Sequence, residues 1–233
     1  MLHINEFLVN KKIDKRIDQR TYKYFPKDKK ELISIIEQLV INGTYDLNCI
    51  DTSKITNMQA LFRYASVEVI QCQSKIDISN WDVSNVEDMN LMFAHFSNFN
   101  GDLSNWDVSN VKDMSYMFNY CYRFEGKGLK NWDVSNVRNM KHMFSGCESL
   151  NEDIGNWDVS NVRNMECMFS GCYEFNEDLS EWNVNKCNNF NYMFNNCRTF
   201  NKDLSKWNID KYAETDGMFN HCNTLTNKPK WYK

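Results

Sequence analysis

From residue 50 onward the apolar positions recur with a period of about 25, and their spacing changes halfway through each period. Trp stands at 81, 106, 132, 157, 182, 207 and 231. An earlier copy starts at Ile50, where "IDTSKITNMQALF" aligns with "WDVSNVEDMNLMF", which makes seven copies. In the first half, as in "DLSNWDV" (102–108), Leu103, Trp106 and Val108 sit among polar residues, which predicts a short, kinked, half-buried strand. In the second half the period lengthens. Val137, Met140, Met143, Phe144 and Cys147 advance by 3, 3, 1 and 3, the stripe of a short α or 3-10 helix. Ser135 and Asn136 precede that stripe as start residues. "SNVE" (84–87) has the form of a capping box, although other copies carry Lys or Arg at its last position. "FNEDLS" (175–180) offers Asn and Asp for a turn into the next strand.

One strand and one helix cannot bury their apolar faces alone, so the copies are expected to stack. The predicted fold is an α/β solenoid over 50–233: a right-handed, leucine-rich-repeat-like stack of short parallel strands and short helices. Residues 1–49 are read as an N-terminal cap with a helix over about 27–41. Pro26 starts it, Leu32, Ile35, Ile36, Leu39 and Val40 share a face, and Asn42-Gly43 stops it. A second helix is expected within 4–20, where Ile13 and Ile17 share a face, and a short strand at "TYKYF". "NKPKWYK" is expected to fold Trp231 over the last copy.

The chain's 233 residues are 42% hydrophobic and 14% aromatic, enough for a core. The net charge of −4 gives no general case for nucleic acid. It is unevenly placed: residues 1–31 hold nine Lys/Arg against five Asp/Glu, so the body is acidic. "KKIDKRIDQR" (11–20) reads either as a phosphate- or acid-binding arm or as a solvated helix face. No signal peptide and no membrane-length apolar run is visible, which makes an intracellular location with nine reduced thiols the expectation.

The words "WDVSNVxxMxxMF…C…FNxDLSxW", with the lead-in at 22–62, resemble the BspA-type leucine-rich-repeat proteins. Much of that group is a 25-residue repeat family of unknown function found in mycoplasma and other surface proteins. The resemblance implies a solenoid and binding or adhesion to another macromolecule. It carries no catalytic residues. Exported members have a secretion signal that is not seen here.

Three columns bear on chemistry. Cys121, Cys147, Cys172, Cys197 and Cys222 share one position with Phe96, which reads as buried thiols ahead of disulfides or metal. Asp51, Asp82, Asp107, Asp133 and Asp158 share another, continued by Asn183 and Asn208, and Asp102, Asp153, Asp178 and Asp203 share a third. Amide capping is the first reading of these carboxylates, and a row of calcium ions the second. His3, His95, His142 and His221 are scattered without a nucleophile, and no phosphate loop or serine elbow is present, so no enzyme activity, cofactor or resident metal is expected.

The copies disagree at their outward positions: Asn90, Ser115, Lys141, Glu166 and Asn191, then Leu91, Tyr116, His142, Cys167 and Tyr192. Tyr116, Tyr120, Tyr122, Lys141, His142, Glu166, Tyr173 and Tyr192 are the candidate partner-binding residues, since exposed Tyr beside varied charge suits recognition. The expected function is a non-enzymatic scaffold for a protein or other macromolecule. The alternatives are a self-associating structural component of a surface or virion, or a calcium-binding repeat protein.

Overall fold

A computed structural model describes residues 22–232. The basic segment 11–20 and the helix expected within 4–20 lie outside them. From Ile50 the chain forms a stack of rungs, one per copy. Single parallel bridges link neighbours at Asn57, Asp88, Asp113, Asn139, Asn164, Asn189 and Glu214.

Neither half of a copy takes the structure its periodicity predicts. The described residues contain two α-helices, α1 (Lys29–Ile41) and α2 (Val67–Gln71), one 3-10 turn (Leu129–Asn131), and no strand longer than an isolated bridge. The expected α/β stack of short strands and short helices is therefore not formed, and consecutive turns build the rungs instead. The reason is visible in the copy at Trp132. His142 (φ 54°) and Gly146 (φ 80°) adopt left-handed backbone, and a right-handed helix cannot pass through such a residue. The amides of Met143, Ser145 and Cys147 close four-residue turns onto the carbonyls of Met140, His142 and Phe144. The alternate amides, of Met140, His142, Phe144 and Gly146, turn outward and donate to Asn164, Glu166, Met168 and Ser170 of the next rung. Successive turns of this kind also put residues three apart on one side, so the apolar spacing imitates a short helix.

Left-handed residues occupy the same two places elsewhere in the stack: Ala60, Leu91, Tyr116, His142, Cys167, Tyr192 and Gly217 at one, and His95, Tyr120, Gly146, Gly171, Asn196 and His221 at the other. At these places each rung donates its amides to its C-terminal neighbour, while other amides, such as those of Lys112, Arg138 and Arg163, donate back to the preceding rung.

Side chains complete the stack. From Trp106 to Trp207 the indoles lie parallel at 6.4 Å, and each of these donates Nε1–H to a carbonyl of the preceding rung, as Trp132 does to Leu103 (3.2 Å). Phe93, Phe118, Phe144, Phe169, Phe194 and Phe219 form a second stack at 5.3–5.8 Å. The thiols of Cys121, Cys147, Cys172, Cys197 and Cys222 donate to the carbonyls of Phe93, Phe118, Phe144, Phe169 and Phe194. This position suits a small apolar side chain carrying one weak donor. Burial pushes the Cys121, Cys147, Cys172 and Cys197 thiols far above their usual range. Both Asp columns accept the amide two residues on, as Asp133 does from Ser135 and Asp178 from Ser180. A third such column, not read from the sequence, runs through Asn57, Asp88, Asp113, Asn139, Asn164 and Asn189.

At the N-terminal end, Asp28 caps α1, and Leu32, Ile36, Leu39 and Val40 are buried. Lys29 reaches from its first turn to the Gln59 carbonyl (2.9 Å), whose counterpart in the next rung, that of Asn90, receives the Ala60 amide. Helix α2 fills the insertion after the first copy and packs on α1. The extra residue between Trp106 and Trp132 is absorbed at Leu129–Asn131, where Gly128 has φ 98° and a side chain would strike the Ser104 backbone. At the other end Trp231 stacks on Trp207 and Tyr232 meets the Phe219 ring edge-on. Among the described residues no helix is long and apolar enough to cross a membrane.

Trp132→Ala removes a side chain 4% exposed and stacked on both sides, and is expected to cost about 3–5 kcal/mol in denaturant unfolding. Lys141→Ala, at a part-exposed ion pair, is expected to cost no more than about 1 kcal/mol. With a thiol reagent at about pH 8, Cys49 and Cys72 should react in the native protein, whereas Cys121, Cys147, Cys172 and Cys197 should react only on unfolding.

Candidate functional site

The two left-handed columns determine what the surface presents. Their side chains lie against the rung that follows: Tyr116 stacks on His142 (4.7 Å, 10°), and His95 meets Tyr120 (5.0 Å). Tyr120 lies across Gly146, where an added Cβ would come within 2.6 Å of its ring, and Tyr192 lies across Gly217 in the same way.

In the second column the succession Tyr120, Gly146, Gly171, Asn196 removes two side chains in a row. A groove of about 290 Å³ opens there, lined by Tyr120, Tyr122, Ser145, Gly146, Glu148, Ser170, Gly171, Tyr173, Asn195 and Asn196. Tyr120 and Tyr122 are 41% and 42% exposed, with ring centres 6.0 Å apart. Tyr173 forms part of the lining with the Arg198 guanidinium 4.0 Å from its ring centre, so the ring is held by a cation–π contact. The Ser170 hydroxyl accepts from the Asn195 amide, and Ser145 is buried in the floor. The groove thus combines fixed aromatic surface with neutral hydrogen-bonding groups and one carboxylate, Glu148.

A second cluster sits in the first column and the position before it. Lys141 pairs with Glu166 across the rungs (2.8 Å), which raises the Lys141 pKa. His142, stacked under Tyr116, lies next to Glu166 and Cys167, with one ligand-capable atom of each within 4.8 Å of the others. Burial lowers the His142 pKa despite the Glu166 charge. Burial, and then the Glu166 charge, push the Cys167 thiol up to about 11.

Of the eight candidate residues, Tyr120, Tyr122 and Tyr173 therefore meet at the groove, and Tyr116, Lys141, His142 and Glu166 at the second cluster. Tyr192 belongs to neither. Ser115, expected to face outward, is buried, with its hydroxyl on the Asp113 carboxylate. The sequence reading missed Gly146 and Gly171, on which the groove depends. Their signal was present: two of only eight glycines fall at one place in successive copies.

The profile of a family described as "Mycoplasma protein of unknown function, DUF285" matches residues 34–128 and 121–231. No curated protein and no solved structure matches the chain. The two matched segments cover nearly all of the rung stack and much of α1, and the chain belongs to this mycoplasma repeat family of unknown function.

Proposed function

We propose that the protein is a non-enzymatic binding module that holds a macromolecular partner, a protein, in the groove over Gly146 and Gly171. The observation that carries this reading is the paired glycine in the second left-handed column. It makes a trough between tyrosines in a surface whose other rungs carry a side chain at that place. Rigid Tyr rings beside small hydrogen-bonding groups provide contact area at little entropic cost. The lining holds one carboxylate and neither His nor Cys, which suits recognition better than acid–base or nucleophilic chemistry. The likeness of the copies to BspA-type surface proteins points the same way and adds adhesion as the setting.

The test is to fill the trough without disturbing the stack. An added Cβ at Gly171 would meet nothing closer than the Gly146 Cα at 3.6 Å, and the same column already carries His95, Tyr120, Asn196 and His221. Gly171→Tyr is therefore expected to keep the far-UV spectrum and shift Tm by only a few degrees. A partner cross-linked through a photoreactive residue at Glu148 and then purified should bind this variant at least tenfold more weakly by calorimetry. Tyr122→Ala should cost more than about 1 kcal/mol of that binding. Equal affinity for the filled and open grooves would refute the reading.

A further inference from the structure

The three side chains His142, Glu166 and Cys167 form a site that the groove does not use. We propose that they bind one divalent transition-metal ion of the zinc class, with water completing the coordination.

The chain has nine cysteines, and eight of the thiols have a partner. Five donate to the Phe carbonyls of the preceding rung, Cys187 donates to Asn189 and Cys49 to Asp46, and Cys72 shares a hydrogen bond with Tyr45. Cys167 alone has none among the described residues, although it is half-buried and held at φ 54°. The His142 ring nitrogens are likewise without a hydrogen-bond partner among the described residues. The Tyr116 ring lies flat against the imidazole, which fixes its plane and leaves the in-plane lone pair free. Glu166 uses Oε2 for Lys141 (2.8 Å) and, at 3.5 Å, for the Asn189 amide, so Oε1 is open. Three half-buried groups, each with an unused donor atom, thus converge within 4.8 Å.

The donor set names the ion. One imidazole nitrogen, one thiolate sulfur and one carboxylate oxygen suit zinc and its neighbours, whereas calcium and magnesium require several oxygens. Three protein ligands and one water make the usual open tetrahedral arrangement. Bonds of about 2.0–2.3 Å require the ligand atoms to draw in to roughly 3.5 Å, which side-chain rotation can supply. Binding releases the thiol proton to solvent, and the thiolate and carboxylate then balance the ion's two charges. Lys141 stays on Oε2 and orients the carboxylate, as an outer hydrogen bond does for a ligating group. The site is not a by-product of the repeat. The same pair of positions reads Asn90/Leu91, Ser115/Tyr116, Asn191/Tyr192 and Asp216/Gly217 in other rungs, and none of these junctions brings together such a set.

Cobalt titration of the metal-stripped full chain tests this directly. One equivalent of Co²⁺ should produce a thiolate-to-cobalt charge-transfer band together with the intense visible bands of four-coordinate cobalt. Zn²⁺ should bleach them and raise Tm with its concentration. Cys167→Ser and His142→Ala should each lose the charge-transfer band or weaken cobalt binding at least tenfold, while Cys49→Ser keeps both. Each variant is checked for an unchanged metal-free Tm, so that a lost band is not a lost fold. A folded wild-type chain without the band at one equivalent would overturn the proposal. So would a band that survives in Cys167→Ser, which would place the ion on another thiol.

Discussion

Backbone amides inside a packed protein must find acceptors, and the rungs of this stack have neither helix nor strand in which to find them. Left-handed backbone at two places per copy solves the problem. It turns every second amide of the second half toward the next rung and leaves the intervening ones to close short turns. The rest of the architecture follows from that ladder. Copies must keep register, so within the stack departures from a 25-residue pitch fall at α2 and the Leu129–Asn131 turn, and the last interval, Trp207 to Trp231, shortens to 24 at the C-terminal end. Indole N–H groups and column thiols find acceptors on the neighbouring rung because the ladder holds that rung at stacking distance. Asn and Asp recur because each copy contains three tight turns that a side-chain oxygen can cap.

The amides of the left-handed columns all donate toward the C-terminal neighbour, although others, such as those of Lys112, Arg138 and Arg163, donate back to the preceding rung, so the two ends are unlike. The first rung presents carbonyls, and α1 sets the Lys29 ammonium on one of them. In the last rung the amides of Thr215, Gly217, Phe219 and His221 find no acceptor among the described residues, while Trp231 and Tyr232 cover the aromatic core beside them.

Much of this was legible in the sequence and part of it was not. The period, the inward Trp, Val, Met and Phe, the apolar Cys column and the capping carboxylates follow from composition and spacing, because burial and turn chemistry act on residue type. The helices did not follow from the spacing. Steps of 3, 3, 1 and 3 suit a helix and a run of four-residue turns equally, and what separates them is the sign of φ at His142 and Gly146. Tyr116, Cys167 and Tyr192 are poor residues for left-handed backbone, so their conformation is imposed by the ladder and leaves no mark in local propensity. The candidate residues divided for the same reason. Tyr120 and Tyr122 meet Tyr173 only because Gly146 and Gly171 are bare, and His142 meets Cys167 only because the ladder aligns their column.

Both proposed sites depend on the ladder, so it is the ladder that most needs testing. Native-state amide hydrogen exchange, resolved by NMR, tests it most directly. The amides of Met140, His142, Phe144 and Gly146 should be strongly protected, and those of Gly217 and His221, at the same positions in the last rung, should exchange orders of magnitude faster. Equal protection of all amides across 138–147, as in a continuous helix, or equal protection of the last rung, would contradict it.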